Sequence, residues 1–114
     1  MESVSSDIEK GKAFVIEKKI EYVPSSVVIK TIIRKVTGNV SAVSFDSGEA
    51  LAVKASPFDT FIQVIDGRAK ILIDDQSHDL DTGQSIIVPA HAQSNIRAIE
   101  RFKMISTTIK SGYE

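Results

Sequence analysis

Apolar and polar positions along this 114-residue chain follow a strand period almost throughout. Ser26 to Val36, "SVVIKTIIRKV", is rich in β-branched residues, with Lys30, Arg34 and Lys35 interrupting the apolar positions. Branched side chains suit a pleated, half-buried surface better than a helix, so the segment predicts a strand. In "NVSAVSFD" (Asn39 to Asp46), Val40, Ala42 and Phe45 are separated by serines, and the register slips near Val43. "TFIQVID" and "AKILIDD" flank Gly67 and predict a hairpin with Asp66-Gly67 as its turn. "QSIIVPA" and "FKMISTTIK" supply two more strands. A helix start in "SSDIEKGK" is stopped early by Gly11.

Turn signals recur at Gly38-Asn39, Asp46-Ser47-Gly48, Ser56-Pro57, Asp66-Gly67, Asp74-Asp75 and Thr82-Gly83. A spacing of about 8 to 12 residues is that of a sandwich or closed barrel. The expected architecture is an all-β jelly roll of two packed antiparallel sheets, which pairs or shelters most strand edges in a short chain. Residues 1–12 read as a polar tail and 13–114 as one domain, with no linker, repeat or low-complexity segment between them. The mixed-charge run "IEKKIEY" (Ile16 to Tyr22) reads as an exposed strand or turn face.

Charge and composition then remove whole classes of function. The formal net charge is −1 with no block of like charges, so a nucleic-acid surface is not expected. Cysteine is absent, which excludes disulfides, zinc-thiolate sites and thiol nucleophiles together. The longest apolar runs, such as "SIIVPAHA", fall far short of the roughly 20 residues that cross a bilayer. The acidic, polar opening "MESVSSDIEKGKAFVIEKK" lacks the basic start and long apolar stretch of a secretory signal. No membrane partner is expected, and the cytoplasm is the expected location.

Four residues stand out as a frame: Gly48, Gly67, Gly83 and Pro89. The glycines suit turns with positive φ or close backbone approach, and the proline suits the end of an apolar strand. Their spacing resembles the cupin superfamily, small jelly-roll barrels known by two motifs. The first runs glycine, five residues, His-x-His, three or four residues, glutamate, six residues, glycine. Here Gly48 and Gly67 stand in register, while the histidine positions hold Lys54 and Ser56 and the glutamate position holds Thr60. The second runs glycine, five residues, proline, x, glycine, two residues, histidine, three residues, asparagine. Gly83 and Pro89 match it; His91 takes the glycine position, Ser94 the histidine and Ala98 the asparagine. "SPFDTFIQVIDGRAKILID" and "ERFKMISTTIK" extend the likeness, which covers residues 38–110.

The resemblance implies a cupin-type barrel whose metal site would need imidazole and carboxylate donors converging on one ion. All four of those positions are exchanged, so no metal and no other cofactor is expected. An ammonium at Lys54 repels a divalent cation, and Ser56, Thr60 and Ser94 offer only neutral hydroxyls. The two histidines do not rebuild the site: His78 lies in an acidic turn region, and His91 is placed at the pocket mouth. The expected pocket is lined by Lys54, Ser56, Thr60, Ser94 and Gln63. Strict alternation sets Thr60 and Gln63 on opposite faces, so Gln63 belongs only if a bulge intervenes.

A small-molecule ligand, anionic or carbonyl-bearing, suits such a pocket. Lys54 either supplies its charge there, attacks a carbonyl once desolvated, reaches out to water, or pairs with a carboxylate such as Asp59. Two alternatives stand beside ligand binding. One is a metal-free enzyme of isomerase or epimerase type on a sugar-like or carbonyl substrate. The other is a structural or accessory module. In either case a homodimer joined through Val27 to Val36 is the expected assembly.

Overall fold

The structure, a computed structural model, describes residues 8–110. Eight strands follow a short 3-10 turn at Ile16–Lys18. They are β1 (Val27–Lys35), β2 (Gly38–Phe45), β3 (Ala50–Val53), β4 (Thr60–Ile73), β5 (Gln76–Asp81), β6 (Ser85–Val88), β7 (Ser94–Arg97) and β8 (Phe102–Ile109). The path β1-β2-β8-β4-β7-β3 is antiparallel at every step, with β5 and β6 also pairing on β4. The first half of β4 lies between β8 and β6, and its second half between β7 and β5. One long strand therefore belongs to both sheets of the jelly roll.

The hairpin predicted at Asp66-Gly67 is not one. The two segments form a single 14-residue strand, and Gly67 is the corner where it passes from one sheet to the other. The reason is long-range. At Gly67, φ is +81°, and an added Cβ would lie 2.9 Å from Phe102 Cα and closer still to the Arg101 carbonyl oxygen. The register of β4 against β8 also shifts between Val64 and Asp66, which bends the strand there. The tight hairpin turn lies instead at Asp74-Asp75, where both residues have positive φ, as a two-residue β-hairpin loop requires.

Alternate residues of each strand meet between the sheets. Phe45 and Phe102 stack at 4.5 Å at the centre, both fully buried, with Val64, Ile71 and Ala69 around them. In β2 the inward residues are Ser41, Val43 and Phe45, yet Ala42 and Ser44 on the other face are buried as well. Burial of both faces explains why the alternation in "NVSAVSFD" slips near Val43.

The segment before β1 covers that second face. The run "IEKKIEY", expected to be exposed, holds Ile20 at 2 % exposure. Ser44 donates to the Glu21 carbonyl at 2.9 Å, and the buried Lys103 Nζ donates to the Glu17 carbonyl at 2.7 Å. Tyr22 donates to Asp66 Oδ2 at 2.6 Å beneath the Lys103 and Arg101 side chains. Burial, then the Asp66 carboxylate, pushes the Tyr22 phenol well above its ordinary pKa. An aliphatic anchor inside a charged run thus docks the segment, and the Glu17 carboxylate pairs with Lys103 of β8. Of the expected polar tail, residues 1–7 lie outside the described residues, while Lys10–Gly11 forms a turn.

Candidate functional site: a polar-rimmed cavity between the sheets

A cavity of about 190 Å³ opens between the sheets at the end where β4 and β7 begin and β3 and β8 finish. Its wall descends strand by strand, since every second side chain faces inward. On β8 the order is Thr108, Ser106, Met104; on β4, Thr60 then Ile62; on β2, Ser41 then Val43; on β7, Ser94 then Ile96. The hydroxyls sit toward the open end, beside Val53 and Val88, and the deeper wall is hydrocarbon.

Four residues expected in the pocket do converge on it: Lys54, Ser56, Thr60 and Ser94 line the cavity. Ser94 is the Cα partner of Val53, the last residue of β3, and Lys54 follows directly after that strand. Thr60 and Thr108 bring their hydroxyls to 3.1 Å across β4 and β8. Ser56 Oγ serves its own loop, donating to the Phe58 carbonyl and accepting from the Phe58 N–H. Ser41 and Ser106 are cross-strand neighbours that sequence patterning did not single out. A serine on a strand reads as an outward polar residue until the register of β2 against β8 is known.

Gln63 is not in the cavity wall. It pairs with Ile105 and Ser85 on the face opposite Thr60, and the bulge that could have turned it inward comes only after Val64. His91 is exposed and does not line the cavity, although its neighbours Pro89 and Ala92 do. Its role is in the rim's backbone. The Ala92 N–H bonds the Pro89 carbonyl and His91 has φ +71°, the pattern of a type II turn. The His91 N–H then reaches the Ser56 carbonyl at 2.6 Å, and the Ala90 N–H reaches Asp59 Oδ1 at 2.8 Å. Asp59 therefore ties two rim loops together.

Lys54 is exposed at the rim, and no hydrogen bond or ion pair joins it to another described residue. A nucleophilic lysine needs a desolvated amine, which this position does not provide. Lys54 is the one ionisable side chain in the wall, so the wall holds no acid–base pair. Ser41, Ser106 and the buried Ser94 likewise make no side-chain hydrogen bond with other described residues. The donor set does not fit a divalent metal. Neutral hydroxyls are poor ligands and an ammonium has no lone pair. Among the described residues, no three His, Cys, Asp or Glu side chains come together. One ammonium and a ring of hydroxyls can instead hold an anion or a carbonyl oxygen.

Corner, sheet order and cavity define a small antiparallel jelly-roll barrel with a one-ended pocket between its sheets. No family model and no curated protein matches the chain by sequence. Solved structures do. A cupin superfamily protein from Desulfitobacterium hafniense superposes with a TM-score of 0.85 at 25% identity, covering 96% of this chain and 100% of its own. A cupin 2 conserved barrel domain protein from Leptotrichia buccalis matches at 29% identity and a TM-score of 0.81, over 85% of this chain and 47% of its own. A conserved protein of unknown function from Streptococcus pyogenes matches at 23% identity and a TM-score of 0.86, over 97% and 96%. The chain has the fold of the cupin superfamily and is similar in structure to these proteins.

Proposed function

We propose that this protein is a metal-independent cupin that binds a small anionic or carbonyl-bearing molecule at the open end of its barrel. One observation carries the reading: the polar side chains lining the cavity are hydroxyls and one ammonium with no partner among the described residues, not imidazoles and carboxylates. Such a wall donates hydrogen bonds and positive charge, which favours an acceptor-rich ligand. Lys54 supplies the charge, while Ser94, Ser106 and Thr60 supply oriented hydroxyls. The test pairs metal analysis with a thermal-shift screen of small anions, since a ligand of the native state raises the melting temperature by mass action. Sub-stoichiometric Fe, Mn, Ni and Zn, with an anion-induced shift lost in Lys54→Met, is the expected result. A stoichiometric transition metal overturns the reading.

The reading includes a homodimer through β1. That strand ends the sheet path among the described residues, and Ile29, Ile33 and the following Val36 are at least half exposed along it. Apolar edges of this kind recruit a second strand. Analytical ultracentrifugation checks it, with Ile33→Lys expected to give monomer.

A further inference from the structure

Polarity in the cavity is sorted by depth, which restricts the ligand more than charge does. Along each strand Ser41, Ser106, Thr60 and Ser94 give way inward to Val43, Met104, Ile62 and Ile96, with Ile62 already level with Ser106, and these are apolar apart from one weakly accepting thioether. The backbone there offers nothing either, because the N–H and C=O groups of β2, β8 and β4 are committed to their ladders. We propose that the ligand is a small amphipathic monocarboxylate, its carboxylate at Lys54 and the rim hydroxyls and its hydrocarbon body on Val43, Ile62, Ile96 and Met104. This rests on the anion-binding reading above and adds the body of the ligand to it.

Size and polarity agree on that body. Apolar cavities of about 150 Å³ accept benzene, and pockets for drug-sized ligands run from about 300 Å³ upward. At about 190 Å³ the space suits a short chain or one ring below the carboxylate. A polyhydroxylated acid of equal length would carry its hydroxyls down to a floor without partners. Each hydroxyl buried unpaired weakens binding by a factor of about 5 to 150. The wall therefore selects against sugar acids while accepting fatty ones.

Met104 lies on the floor and Met1 is the only other methionine, so a methyl-labelled methionine reports directly on what enters. The experiment titrates methyl-labelled protein with propanoate, butanoate, hexanoate, gluconate and hexanamide, following the Met104 methyl resonance. Binding is expected to tighten about fourfold per methylene until the floor is reached. Hexanamide, and hexanoate with the Lys54→Met variant, should each bind about tenfold more weakly than hexanoate with the native chain. Gluconate should leave the Met104 methyl unmoved. Lys54 is exposed and unpaired, so the variant is expected to fold. Gluconate binding as tightly as hexanoate, or a flat chain-length series, overturns the amphipathic class while leaving anion binding in place. If neither acid binds in a manner sensitive to Lys54→Met, both readings fall.

Discussion

Substituting Gly67 and Gly48 by alanine separates two reasons for a glycine, because their backbones match while their surroundings do not. Gly67 has φ +81° and Gly48 has φ +83°, so the left-handed strain imposed on an alanine is nearly the same at both. That strain is about 1–2 kcal/mol, partly offset by the about 0.4–1 kcal/mol gained as the unfolded chain loses freedom. At Gly48 a new Cβ meets nothing within 4 Å, so the expected net loss is only about 0.5–1 kcal/mol. At Gly67 the Cβ would lie 2.9 Å from Phe102 Cα and Cβ and press harder still on the Arg101 carbonyl. Backbone cannot rotate away as a side-chain tip can, and Phe102 is stacked on Phe45 in the core. An overpacking cost of about 1–3 kcal/mol therefore adds to the strain, for a total near 3 kcal/mol. Total stability for this length is about 6–17 kcal/mol, so both variants fold. Urea unfolding is the assay. With a slope of about 1.5 kcal/mol/M, the midpoint should fall by about 2 M for Gly67→Ala and by about 0.5 M for Gly48→Ala. Equal midpoints for the two variants would refute the claim that crowding by β8 fixes the corner of β4.

Three further outcomes follow from other parts of the fold. At His91 the left-handed φ of +71° makes His91→Val costly, about 2 kcal/mol, whereas His91→Gly should be neutral or raise stability by about 0.5 kcal/mol; thermal unfolding distinguishes them, and neither should weaken hexanoate binding. Tyr22 keeps its proton in the folded state above the pH where an unfolded tyrosine, with a pKa of about 10, gives it up. Its contribution is therefore complete below about pH 10 and fades as pH rises beyond it, a slope that Tyr22→Phe should flatten in pH-dependent unfolding. Ile20→Ala removes the buried anchor of the N-terminal segment and should cost about 2–5 kcal/mol locally; amide exchange is expected to quicken over residues 13–26 while the Met104 region stays protected.

Sequence and structure agree where the deciding chemistry is local. Gly48, Gly67 and Gly83 all take positive φ, as their turn-like settings predicted, and the β-branched runs become strands. Lys54, Ser56, Thr60 and Ser94, which stand at the ligand positions of the cupin motifs, all line the cavity. The errors share one cause, pairing between segments far apart in sequence. Asp66-Gly67 reads as a hairpin turn, but β8 crossing above Gly67 makes it a corner. Ile20 sits among charges and reads as exposed, until the outer faces of β2 and β8 receive its segment. Ser41, Ser106 and Thr108 gain meaning only through the β2-β8-β4 register. Gln63 shows the converse: alternation alone assigned its face, and the bulge falls one step too late to change it.

That division also explains how one barrel frame can hold opposite chemistries. The frame depends on φ at the glycines and on crowding at Gly67, quantities indifferent to the side chains that face inward from the strands. A cation site must aim lone pairs at its centre, whereas this cavity aims hydrogens. Lys54 has three donors and no acceptor, and the Ser41, Ser94 and Ser106 hydroxyls have no side-chain partner among the described residues. Ser94 makes the point most sharply, being buried at 8 % exposure with no side-chain partner among the described residues. A buried hydroxyl seeks a hydrogen-bond partner, and on the proposed reading an ionised carboxylate, acceptor-only and negative, supplies it. On the proposed reading, the residues at positions 54, 56, 60 and 94 set the charge preference of the pocket without disturbing the strands that carry them.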